Sequence, residues 1–212
     1  MPPLAGNRFT LAGRTWEVLD IEPKAKIVWV RRVEGIASVC WRGGSSNIHT
    51  KVLERMRRVL FEDVWYSYLQ NNAKERLKAA RQLARNAGLD KSNLLSLEGN
   101  NCCIFPWMGT VAYRTLVKLL NFFCRESLDI RSIDGVQPYF LTVQLGKSKP
   151  KELYDEIVSL CDQKITVHDL VSSEEAPKLQ KYDEFIPPNL LRKAFALDYL
   201  DVVELRKIVS GW

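Results

Sequence analysis

Residues 9–41 read FTLAGRTWEVLDIEPKAKIVWVRRVEGIASVCW, and the alternation inside this stretch decides the fold class. From Arg14 to Leu19 polar and apolar side chains alternate as in a half-buried strand, which puts Arg14 and Trp16 on one face. Ile27 to Val33 is a second, β-branched run in which Trp29 and Arg31 share a face. Glu22-Pro23-Lys24-Ala25 supplies the turn between them, because proline fixes φ and ends a strand. A small, twisted, antiparallel sheet or barrel follows. An aromatic beside a cation on such a sheet suits a single nucleic-acid strand, with rings stacking on bases and cations holding phosphates. Arg14, Trp16, Trp29 and Arg31 are the expected contact surface, with Arg32 and Arg42 beside them. The competing reading has the tryptophans filling a small β core, as Trp usually does, and the arginines solvating its rim.

Beyond Trp41, Arg-Gly-Gly-Ser-Ser-Asn is a loop by composition. It divides a β-barrel-like subdomain, residues 1–48, from an α+β subdomain, residues 49–212, unless the two form one compact unit. A helix begins near His49 to Lys51, with Asn47 or Thr50 as its N-cap. Its expected buried stripe is Val52, Met56, Val59, Leu60 and Val64, and Lys51, Arg55, Arg58 and Glu62 lie opposite. A second helix, Ala73 to Asn86, stops at Gly88. It buries Leu77, Ala80, Ala84 and Ala87 and exposes Lys74, Lys78, Arg81 and Arg85. Leu94 to Leu97 and Cys102 to Phe105 form a hairpin around Gly99. Thr110 caps a third helix, Val111 to Arg125, whose polar line is Arg114, Lys118, Asn121 and Arg125. Solvated helices generally mix charge signs, and these three stripes carry almost no acids. Arg55, Arg58, Lys74, Lys78, Arg81, Arg85 and Arg114 are therefore expected to extend a positive track.

The last third continues the α+β pattern. Leu128 to Ile133 and Tyr139 to Leu145 read as strands joined at Asp134-Gly135. Pro150 opens a fourth helix with Leu153, Ile157 and Leu160 inward. Ile165 to Val171 reads as strand or short helix, and Ser172 to Lys178 as an exposed loop. Pro187-Pro188 starts a helix to Ala196, and Asp201 caps the last one, to Val209. The expected architecture is a small N-terminal β barrel or sheet, then helices and a mixed α/β layer with antiparallel hairpins.

Composition narrows the function. Apolar content of 46% and charged content of 26% are those of an ordinary globular protein. No run approaches the ~18 apolar residues of a membrane span. The opening Met-Pro-Pro-Leu-Ala-Gly has no secretory pattern, so a cytoplasmic location is expected. Five cysteines without paired spacing and only two histidines predict reduced thiols and no metal site. Residues 1–150 carry 23 Lys and Arg against 13 Asp and Glu, whereas residues 151–212 carry 8 against 12. A basic body with an acidic end suits a polyanion on one side. GxxxxGK[ST], GxSxG and HExxH do not occur, so a chain without catalysis or cofactor of its own is expected. Gly43-Gly44-Ser45-Ser46 before a helix offers amides for one phosphate but lacks the phosphate-loop lysine. Adjacent Asp183 and Glu184 read as a solvated loop, not a metal pair.

FTLAGRTWEVLDIE followed by the VWV strand resembles the segment after the winged helix of Lhr-type (large helicase-related) superfamily 2 DEAD/DEAH-box helicases. FPWMGTVAYRTLVKLL, SIDGVQPYFLTVQL and KYDEFIPPNLLRKAFALDYLDV resemble successive pieces of the same C-terminal accessory region, so the likeness runs from about Phe9 to Val209. GRTW and FPWxGT carry most of its specificity. The resemblance implies a parent that moves 3′-to-5′ along single-stranded DNA on ATP and unwinds duplexes or DNA–RNA hybrids. It places the two RecA-like motor domains before this region, outside these residues. Some family members bind zinc or an iron–sulfur centre at a cysteine cluster, which this sequence lacks. The expectation is a nucleic-acid-binding accessory domain holding single-stranded or duplex DNA, or RNA, beside motor domains in the same or another chain. The alternative is a structural module that docks on the motor or a partner subunit without touching nucleic acid.

Overall fold

The computed structural model describes residues 4–11, 14–35, 39–40 and 46–212. The chain divides into two compact units, Met1–Ser46 and Asn47–Trp212, and taken together its elements are α+β.

In the first unit, β1 (Arg8–Leu11), β2 (Arg14–Glu22), β3 (Ile27–Val33) and β4 (Val39–Cys40) lie in the order β3-β2-β1-β4. Neighbouring strands run antiparallel except for the short parallel pairing of β1 with β4. The turn after β2 falls where Pro23 predicts it, and Lys26 closes it at φ +56°. Edge strands β3 and β4 do not pair among the described residues, so the sheet is open and no closed barrel forms. Among the described residues its one deeply buried side chain is Val18, and Asn7 and Gly6 hold the Val18 backbone at 2.9 and 2.8 Å. A bulge between Val18 and Asp20 follows.

The second unit opens with α1 (Thr50–Phe61) and α2 (Asn71–Asn86). β5 (Leu94–Ser96), β6 (Asn101–Ile104), β7 (Ile130–Val136) and β8 (Phe140–Leu145) form an antiparallel sheet in the order β5-β6-β8-β7. Between β6 and β7 runs α3 (Thr110–Leu119), which continues into a π turn, Leu120–Cys124. α4 (Pro150–Asp162), α5 (Pro188–Tyr199) and α6 (Val202–Val209) complete the unit. One sheet face supplies Cys102, Ile104, Leu141 and Val143 to the core, where they join Leu116, Leu119, Leu153, Ile157 and Leu205. Fully burying each such leucine or isoleucine contributes about 1.5–3 kcal/mol, so this layer is the unit's main source of stability.

Several local expectations change in the fold. His49 caps α1, its Nδ1 accepting from the Lys51 amide at 3.1 Å, in place of Asn47 or Thr50. Thr50 is otherwise engaged, because its hydroxyl accepts from the Gly109 amide at 3.0 Å. Likewise Thr110 is the first residue of α3 and not its cap, and its Oγ1 accepts from the Ile48 amide at 2.9 Å. The two threonines thus tie the starts of α1 and α3 to each other. Asp134-Gly135 lies inside β7, and the strands turn after Val136. Glycine is needed there, since a Cβ at 135 would stand 2.4 Å from the Phe140 carbonyl oxygen. Ile165–Val171 resolves as a 3₁₀ turn, Val167–Leu170. Another 3₁₀ turn, Asp183–Phe185, corrects the solvated reading of Asp183, which is buried and accepts from the Leu179 and Gln180 amides at 2.6 and 2.7 Å.

Candidate nucleic-acid interface

Strand register splits the expected sheet surface. Residues directly opposite in an antiparallel pair point to the same face. Phe9 faces Trp16 and Trp16 faces Arg32, and Arg14 lies two residues before Trp16 on the same strand, so Arg14, Trp16 and Arg32 share one face. Glu17 faces Arg31, and beyond the bulge Asp20 faces Trp29, so Trp29 and Arg31 lie on the other face. The strand-level pairings were legible in the sequence. That the two pairs lie on opposite faces, and so do not form the one contact surface expected, was not, because register fixes which face each strand presents.

Trp16 is half-buried, whereas Trp29 is 57% exposed on a strand that is open along nearly its whole length. Arg14 and Arg32 are exposed and make no ion pair among the described residues. Arg31 instead donates to Glu17 Oε1 at 2.7 Å, and Arg8 donates to Glu17 Oε2 at 3.1 Å. Those two bonds, Arg31's first, hold the Glu17 carboxyl below its ordinary pKa. Arg42 lies outside the described residues, as does most of the Gly43–Ser46 loop.

The helical track of the second unit divides into committed and uncommitted cations. Arg81 is 4% exposed, which removes it from any contact surface. Its guanidinium donates to the Val59 and Val64 carbonyls, each at 2.9 Å, and lies 5.0 Å from the Trp65 ring centre. It therefore closes the α1–α2 connection. Arg114 donates to the Tyr199 carbonyl at 3.1 Å and stacks over that tyrosine's ring, tying α3 to the end of α5. Arg85 pairs with Asp63 at 2.6 Å, and Arg55 bonds Glu62 at 3.0 Å and Tyr66. Lys118 meets Glu175 at 2.6 Å, so the acid missing from the α3 stripe arrives from a distant loop. Arg58, Lys74 and Lys78 keep uncommitted charges among the described residues, with Arg58 and Lys78 exposed and Lys74 partly covered.

Sequence spacing passed over Arg57 and Lys207. Arg57 lies over the Trp107 ring at 6.0 Å, and Lys207, on α6 and about 100 residues away in the chain, lines the same cleft. Only the fold brings those two together. Burial pushes the thiols of Cys102 and Cys161 up to about 11 and that of Cys124 to about 12, so none is a thiolate near neutral pH.

Comparison with protein-family models, with curated proteins and with solved structures finds no match to this chain.

Proposed function

We propose that this chain is a nucleic-acid-binding accessory module that holds single-stranded DNA in the cytoplasm beside the motor of a superfamily 2 helicase. The observation that supports it best is Trp29, a large aromatic left 57% exposed on an open β strand. Exposed indoles stack on bases of any sequence, at about 1–3 kcal/mol per base. Arg14 and Arg32 on the opposite face, and Arg58, Lys74 and Lys78 on the helices, supply cations without acid partners among the described residues. Phosphate contacts release counterions, so binding by such groups weakens steeply as salt rises. The test is fluorescence anisotropy of a labelled oligothymidylate with the full chain at about 50 and about 200 mM salt. Salt-sensitive binding that Trp29→Ala weakens about tenfold is expected. No binding at low salt, or binding indifferent to salt, overturns the proposal.

A protein-docking role is favoured by a different observation. Val52 and Met56 on α1 are 50% and 40% exposed and form an apolar strip with Val59 and Leu60. Capture of this chain by purified motor domains, without change in DNA affinity, would support that second reading.

A further inference from the structure

A cleft of about 360 Å³ lies in the second unit. α1 supplies Glu54, Arg57 and Arg58 to it, the β6–α3 connection supplies Trp107, α6 supplies Lys207, and Trp212 completes the lining. Three cations face one carboxylate, so the lining is net positive. Both indoles bury their Nε1–H with no acceptor among the described residues. A buried indole N–H ordinarily finds a partner, and leaving such a donor unpaired costs about 1–3 kcal/mol.

Trp107 is held with unusual firmness for a residue without an evident partner for its polar atom. It is 7% exposed and sits at φ +52°, a left-handed conformation that a bulky side chain adopts only when its surroundings impose it. Its ring faces are already covered, by Phe105 at 6.0 Å between centroids and by the Arg57 guanidinium at 6.0 Å. Tyr154 stacks on Trp212 at 5.8 Å. The Trp107 ring is therefore not a platform for a nucleobase. What remains on offer is cationic donors: two guanidiniums and an ammonium. Arg57 is already positioned by its stacking on Trp107. The Lys207 ammonium is mostly exposed, and its only ion pair among the described residues is a loose one to Glu204, at 3.9 Å.

We propose that this cleft is a phosphate-binding site. A phosphate presents several acceptor oxygens around one centre of negative charge, which matches forked guanidiniums from α1 and an ammonium from α6 lining one cleft. The volume exceeds that of a bare phosphate, so the ligand class is a phosphate ester, delivered either as a small phosphorylated molecule or as the phosphorylated end of a strand. The site stands on the cleft alone and does not depend on the strand-binding role proposed for Trp29.

Nuclear magnetic resonance of the ¹⁵N-labelled full chain reads it directly, because each of the six tryptophans gives one indole N–H signal. Trp212→Phe and Trp107→Phe assign the two signals of interest. Pyrophosphate is the first probe, and a 5′-phosphorylated oligothymidylate with its 5′-hydroxyl counterpart the second. The expected result is that pyrophosphate moves the Trp107 and Trp212 signals selectively. The charge variant Arg57→Gln/Lys207→Gln, which leaves both indoles in place, should bind about tenfold more weakly. If only the phosphorylated strand adds to the shift, the source is a strand end. If pyrophosphate shifts the signals and neither strand binds, the cleft takes small phosphate esters and the strand-binding reading falls by itself. Unmoved indole signals with both pyrophosphate and the phosphorylated strand overturn the proposal. So does a shift that persists undiminished in a charge variant whose backbone spectrum shows it folded.

Discussion

Arg81 and Lys78 sit three residues apart on one helix and do opposite things. Helical spacing assigns both to the polar stripe, yet Arg81 is buried while Lys78 stands in solvent. Arg81→Ala would strand the Val59 and Val64 carbonyls that now accept its two bonds. Hydrogen bonds to a charged group contribute about 1.5–3 kcal/mol each, so with two such bonds thermal or urea unfolding should show a loss of about 3–6 kcal/mol. Lys74→Gln/Lys78→Gln should leave the unfolding midpoint in place. On the strand-binding proposal, it should instead lower the salt slope of DNA binding by about one unit per phosphate contact removed. A stable Arg81→Ala protein would mean that the guanidinium is not the clasp its geometry describes. Arginine's long apolar stem is why sequence misplaces it: the same residue can carry its charge out to water or bring five donors inside to loose carbonyls.

At the scale of the element, α1 shows the limit of periodicity. Its apolar arc runs through Val52, Met56, Val59 and Leu60, and a sequence reading turns that arc inward. In the fold Leu53 is 1% exposed, while Val52 and Met56 remain half in solvent. The start of α1 is pinned to the start of α3 by the Thr50 and Thr110 hydroxyls, and those bonds set the rotation of the helix. Gly109 makes that junction possible, because a Cβ there would lie 2.7 Å from the Ile48 carbonyl oxygen and the Thr50 nitrogen. Leu53→Ala should cost about 2–5 kcal/mol, as core truncations do. Val52→Ser/Met56→Ser should stay within about 0.5 kcal/mol of the parent per site, as exposed substitutions generally do. Chemical denaturation of both variants distinguishes the observed rotation of α1 from the one its apolar arc implies; equal losses would contradict the observed one. Where the sequence pattern was strict, in the β5–β6 hairpin around Gly99 and in the Leu153, Ile157 and Leu160 stripe of α4, sequence and fold agree.

Across the whole molecule, part of the charge holds the chain together. The ion pairs of Glu17, Glu62, Asp63 and Glu175 absorb arginines and a lysine that composition alone counts toward a polyanion partner. This gives the first unit an acid-sensitive clasp. Glu17 in the folded sheet has a pKa lowered from 4.5, chiefly by its bond to Arg31 and then by that to Arg8. A lowered folded pKa favours the folded state fully above the unfolded value. That contribution disappears as pH falls through the lower folded value. Tryptophan fluorescence from Trp16 and Trp29 should therefore report a first unit that loosens below pH 4.5, and Glu17→Gln should flatten that dependence. An unchanged acid profile in the variant would show that Glu17 is not the group responsible. Among the described residues no helix is long and apolar enough to cross a membrane.

By itself the sequence determined the local elements: the alternation of Arg14 to Leu19, the turn at Pro23, the glycine stop at Gly88 and the Asp201 cap. Each of these depends on neighbours within a few residues, and so is written in adjacent letters. Tertiary structure alone decided which groups meet. Register put Trp16 and Trp29 on opposite faces, and the α1–α2 connection drew Arg81 inside. The fold also gathered Arg57, Trp107 and Lys207 around one cleft from segments far apart in the chain. Those outcomes rest on pairings across tens of residues, where a one-residue slip or a small helix rotation exchanges inside for outside, and no local spacing records which was chosen.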